Sequence, residues 1–138
     1  CSSDLSRVLF CPGEPGGRAS DEGVDLATLV SRVTSSYSGQ NLGRGGLEIT
    51  LNPRMPLLAD RNPFIGDGRF QVGLQEERNS NNHGLNVGQN VLFFDGSVGW
   101  KNRSSVGLGG DNIWLAGTKR RYQGNEEPQY ITDAFLIP

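Results

Sequence analysis

Apolar and polar residues alternate along Leu47-Glu-Ile-Thr-Leu51 and again along Arg69-Phe-Gln-Val-Gly-Leu74. Alternation with a period of two predicts strands with one buried face. Gln89–Phe94 and Ser97–Lys101 are two further strand candidates on either side of Asp95-Gly96. An Asp-Gly pair between apolar runs is a strong short-range hairpin signal. Read as a two-residue turn, it sets Phe94 opposite Ser97, Phe93 opposite Val98, Leu92 opposite Gly99 and Val91 opposite Trp100. Val91, Phe93, Val98 and Trp100 are then expected together on the core side. Leu92 and Phe94 are left on a face for a helix or the C-terminal tail to cover.

One segment carries a helical period. Leu26, Leu29, Val30 and Val33 fall at i, i+3, i+4 and i+7, so Asp25–Val33 is the expected helix, with Ser20 or Asp21 as its cap. Arg7–Pro12 reads as a short buried strand stopped by proline, Pro56–Pro63 as extended chain, and Asn112–Leu115 as another short strand. Gly13–Gly23 and Ser35–Gly46 read as loops, and the apolar end of Tyr130–Pro138 as a docking tail.

Composition sharpens this. The chain has 138 residues, enough for one domain with its own core, so residues 1–138 are taken as a single globular unit. Twenty glycines, in addition to 35% apolar residues, disfavour long helices, since each interior glycine costs about 1 kcal/mol there. The net charge is −2, and the densest basic run, Lys119–Arg121, is too short for a nucleic-acid footprint. The longest apolar runs, such as Val91–Phe94, are four residues, against the about 20 a membrane-spanning helix needs. No signal peptide is visible, so the sequence reads as a mature chain or a fragment. Cys1 and Cys11 could close a small N-terminal disulfide loop, and Cys1-Ser-Ser also resembles the acylated start of a bacterial lipoprotein.

The chemistry-bearing residues are few. His83 is the single histidine, and Asp60 or Asp95 could orient it as a base. No nucleophile elbow, P-loop or dinucleotide-binding glycine pattern accompanies it, and spacing selects no carboxylate pair, so no enzyme is expected. His83 is expected instead to donate an orienting hydrogen bond to a neighbouring loop. Asp60, Asn62, Asp67, Asp95, Asp111 and Asn112 lie in Gly- or Pro-rich segments. Oxygen ligands of this kind suit a structural Ca²⁺, with Asp60, Asp67, Asp95 and Asp111 as its carboxylates. The competing reading is that they form turns.

Several pieces together resemble one family. Leu9–Pro12 (LFCP), Ser35–Tyr37 (SSY), Leu58–Pro63 (LADRNP), Asn79–Trp100, Val106–Trp114 (VGLGGDNIW) and Thr132–Pro138 (TDAFLIP) follow the order seen in the globular part of prepilin-type H-X9-DG proteins. The most specific piece is the motif His83, Asp95, Gly96 and Trp100. Here eleven residues separate His83 from Asp95, where the family name specifies nine.

The resemblance implies an α+β, pilin-like fold, an antiparallel sheet packed on a helix. It implies a non-catalytic subunit of an extracellular type IV pilus-like or pseudopilus filament in bacteria. The family's long apolar N-terminal helix is missing from these residues. A longer precursor or a partner chain would supply it, alongside self-association in the filament. The alternative is a cell-surface lipoprotein or carbohydrate-binding module, suggested by Cys1 and the Asn, Tyr and Trp content.

Overall fold

The computed structural model describes residues 36–41, 52–66, 69–70, 77–119 and 121–138. Among these residues seven short strands form, in chain order: β1 (Tyr37–Gln40), β2 (Pro56–Asp60), β3 (Ile65–Gly66), β4 (Arg69–Phe70), β5 (Gln89–Phe93), β6 (Val98–Lys101) and β7 (Leu136–Ile137). Five of them make one antiparallel sheet in the order β6-β5-β2-β1-β7, and β3 and β4 pair as a separate ribbon. A single 3₁₀ turn spans Leu108–Gly110, and among the described residues no α-helix is present. The expected helix over Asp25–Val33, and the expected strands Arg7–Pro12, Leu47–Leu51 and most of Arg69–Leu74, lie outside the described residues. The antiparallel sheet of the expected fold is present.

β1 was expected to be loop, because Tyr-Ser-Gly-Gln carries no apolar alternation. It forms because it has a partner on each side. Ser38 pairs with Ala59 of β2, and Gly39 pairs with both Leu58 of β2 and Ile137 of β7. The opposite correction applies to Asn112–Leu115, which is a buried turn and not a strand. Asn112 Oδ1 accepts from the Trp114 N–H at 3.0 Å, a side-chain bond that bends the chain locally. The turn still buries Ile113 and Trp114 completely.

The core lies on one side of the sheet. Ala59 and Val91 meet Met55, Phe64, Ile113, Trp114, Ala134 and Leu136 there. One buried amide ties these pieces together. Asn62 Nδ2 donates to the carbonyls of Trp114 at 3.1 Å and Leu136 at 2.8 Å, while its Oδ1 accepts from the Phe64 N–H at 2.9 Å.

The β5–β6 hairpin has a different register from the one the sequence predicts. Phe93 N–H donates to the Ser97 carbonyl at 2.9 Å, and Gly96 N–H donates back to the Phe93 carbonyl at 2.9 Å. The loop is therefore three residues, Phe94–Gly96, with Gly96 in the left-handed region at φ 82°. Val91 faces Gly99, Leu92 faces Val98, and Asn90 faces Trp100. A slip of one residue sends each β6 side chain to the other face. Val98 and Trp100, expected in the core, are 66% and 48% exposed on the outer side.

β2 carries a compensating irregularity. Pro56 pairs with Phe93 but Leu58 pairs with Leu92, so Leu57 is an extra residue in this ladder. A bulge is also where an interior strand can accommodate a proline, which has no N–H to donate. Beyond it Leu58 shares the outer face with Leu92.

Candidate functional site

The loop from Asn79 to Gly88 is closed by its own amides. Asn79 N–H donates to Asn86 Oδ1 at 2.9 Å, and Asn79 Nδ2 to the carbonyls of Asn86 at 3.1 Å and Asn102 at 2.9 Å. Asn86 takes a left-handed φ of 59°, a conformation asparagine tolerates better than most residues. Buried Gln89 anchors the base: its Oε1 accepts from Ser80 N–H at 3.1 Å, and its Nε2 donates to the Arg103 carbonyl at 2.7 Å. The asparagine cluster is thus a fastening for the loop that presents His83.

His83 meets Asp60. Its Nε2 lies 3.1 Å from Asp60 Oδ2, with the carboxylate 1% exposed and the imidazole side chain 26% exposed. The same oxygen accepts from the Asn90 N–H at 2.6 Å, and Asn90 Nδ2 stands 3.4 Å from it. Asp60 Oδ1 lies 3.4 Å from Asn82 Nδ2, which also donates to the Ser36 carbonyl at 2.7 Å. A carboxylate oxygen only accepts, so in this contact it is His83 Nε2 that donates, and Asn90 Nδ2 stands 3.4 Å from that nitrogen. Burying a carboxylate is costly without such partners. Here they come from β5, the 79–88 loop and, through Ser36, the approach to β1, so Asp60 fastens three segments at one point.

Trp100 stands beside the pair. Its ring centroid is 5.1 Å from that of His83, edge-on at 74°. Gly88 makes this possible, since a Cβ there would sit 2.6 Å from the indole and 2.6 Å from the Lys101 carbonyl. From Trp100 the outer face continues as an apolar row. Val98 faces Leu92, Leu92 faces Leu58, Leu58 faces Gly39, and Gly39 faces Ile137. The row crosses all five strands, with Leu58 39% exposed and Leu92 and Ile137 half-buried.

Of the other sequence-predicted site carboxylates, Asp95 and Asp111 are described, and each has partners of its own. Asp95 is a turn residue: its Oδ1 accepts from the Ser97 hydroxyl at 2.6 Å and Ser97 N–H at 2.9 Å. These bonds, with Arg54 nearby, hold its carboxyl below the ordinary value. It does not partner His83.

Asp111 lies at the far side of the core, where Oδ2 accepts from Ala134 N–H at 2.8 Å. Burial, with the charge of Asp133 adding to it, pushes its carboxyl up to about 6. Asp133 is itself raised by burial and accepts from Gln129 N–H at 2.6 Å. Asn62 and Asn112 spend their oxygens on Phe64 and Trp114. Asp60, Asp95 and Asp111 each accept from different backbone partners, and among the described residues no group of three His, Cys, Asp or Glu side chains could hold a metal. Asp67, Cys1 and Cys11 lie outside the described residues. Among the described residues no helix is long and apolar enough to cross a membrane.

Compared with known proteins, the chain matches no protein-family model, no curated protein and no solved structure.

Proposed function

We propose that this chain is a non-catalytic structural subunit of an extracellular pilus-like or pseudopilus filament, and that the outer face of its sheet seats an apolar helix there. The observation that supports this most is the row Val98–Leu92–Leu58–Gly39–Ile137. Contiguous exposed apolar surface on a soluble protein marks an interaction site. Five strands spaced about 4.8 Å apart give a row roughly 19 Å wide. That is ample for a helix about 10 Å in diameter. Gly39 leaves a notch in the row where a helix could approach the backbone. The ordered likeness of LFCP, LADRNP, the His83-to-Gly96 motif and TDAFLIP to prepilin-type proteins points the same way. In this reading the Asp60–His83 pair is a brace that holds Trp100 and the loop at the edge of the docking face.

The test is assembly of the native material with Leu58→Asp and Leu92→Asp together. Both side chains are on the solvent side of the sheet, so the variant should keep its circular dichroism spectrum and lose filament assembly. Filaments of normal yield from a folded double variant would remove this reading.

A further inference from the structure

The turn before β2, the β5–β6 hairpin (Trp100 included) and the chain after β6 line an open basin of about 940 Å³. Its lining includes the cations Arg54, Lys101 and Arg103 and one carboxylate, Asp95. Among the described residues none of the three cations forms a salt bridge. In a chain of net charge −2, this is a local excess of positive charge, offset in part by Asp95, which lies near Arg54.

The basin is also built, in the sense that its charged residues sit on fixed backbone. Arg54 N–H is held by Asn52 Oδ1 at 2.9 Å, and the Arg103 carbonyl by buried Gln89 at 2.7 Å. Lys101 lies on β6 with its Nζ 5.3 Å from the centre of the Phe93 ring. Phe93, Val106 and Leu108 give the lining an apolar portion, all three partly buried against the core. Gly109 and Gly110, at φ 68° and 84°, leave bare backbone in the wall, with nothing within 4 Å of where their Cβ atoms would stand.

We propose that this basin binds an acidic oligosaccharide, a chain of uronate sugars. Such a ligand offers carboxylates to the guanidinium groups, hydroxyls to Asn102 and Ser105, and a C–H ring face to the apolar lining. Guanidinium groups pair with carboxylates through two parallel hydrogen bonds, so Arg54 and Arg103 are the expected anchors. Three cations are too few for a nucleic-acid track. Asp95 opposes the ligand and limits its affinity. The proposal rests on the basin alone and is independent of the filament reading.

Calorimetric titration with an oligogalacturonate tests it, with the methyl-esterified oligomer and an oligoglutamate as controls. The acid form should bind, weaken in high salt, and lose about tenfold in affinity in each of Arg54→Ala and Arg103→Ala. Asp95→Asn, which keeps a turn-favouring side chain, should bind more tightly than the parent. Absence of binding, equal binding of the methyl ester, or equal binding of oligoglutamate would each overturn the assignment. So would weaker binding by a folded Asp95→Asn.

Discussion

Replacing Asp60 by alanine removes the acceptor on which the outer-face cluster converges. The Asn90 N–H, bonded at 2.6 Å, is left without its acceptor on the sheet, at about 1–3 kcal/mol for a buried donor. His83 is partly exposed and Asn82 keeps the Ser36 carbonyl, so both recover some of their bonding. Loss of the buried carboxylate's own desolvation offsets part of the cost. The expected net is about 1–3 kcal/mol, a sizeable share of the about 5–15 kcal/mol that stabilises a typical domain. At about 3–4 °C per kcal/mol for a chain of this size, the melting temperature should fall by about 3–12 °C. His83→Ala should cost about 1–2 kcal/mol, because it takes one donor from a buried charge and leaves the others.

The informative measurement is the double-mutant cycle, read by urea unfolding. If the two side chains bond as described, the double variant is less destabilised than the sum of the singles by about 0.5–3 kcal/mol. Additivity within about 0.3 kcal/mol would refute the pair.

Other perturbations follow from the same geometry. Gly88→Ala drives a Cβ into the indole and the Lys101 carbonyl, and should cost about 1–3 kcal/mol with a shift in Trp100 fluorescence; a neutral effect would contradict the placement of Trp100. Asn62→Leu strands the Trp114 and Leu136 carbonyls and the Phe64 N–H, and should cost at least about 3 kcal/mol in thermal unfolding; a smaller loss would mean that the amide is not a central tie.

Asp111 supplies a pH test. Its folded carboxyl, raised from 3.8 to about 6, holds a proton that the unfolded chain has released. The folded state therefore binds more protons between those values, and this group's contribution to stability falls as pH rises from about 4 to about 6. Asp111→Asn should flatten that slope and raise stability at neutral pH; an unchanged slope in denaturation curves would contradict it.

The hairpin strands β5 and β6 and the extended run that contains β2 were legible in the sequence, and the misreadings have physical causes. The Asp95-Gly96 signal located the hairpin correctly. Its loop length was not legible, because Asp-Gly serves both the two-residue turn and the end of a three-residue loop. That one residue decided which face held Val98 and Trp100. β1 escaped notice because its pairing comes from distant segments, residues 56–60 and 136–137, and not from local pattern.

The asparagines gave too many readings. Asn79, Asn82 and Asn86 spend their amides on fastening their own loop, a use that composition cannot separate from the ligand contacts of a binding module. The partner of His83 was legible as a choice between Asp60 and Asp95. An aspartate closing the apolar run Pro-Leu-Leu-Ala has more need of a buried partner than one in a solvent-exposed turn, and that was the available signal. The cationic basin was invisible because Arg54, Lys101 and Arg103 are brought together by the β2–β5–β6 arrangement and the chain beyond β6.

Helical reconstruction by cryo-electron microscopy of the native assembly tests the central claim most directly. The account predicts a filament in which an apolar helix, from this chain's precursor or a partner, lies against Val98, Leu92, Leu58 and Ile137. A filament in which that row faces solvent, or native material that is uniformly monomeric with the row bare, would contradict it.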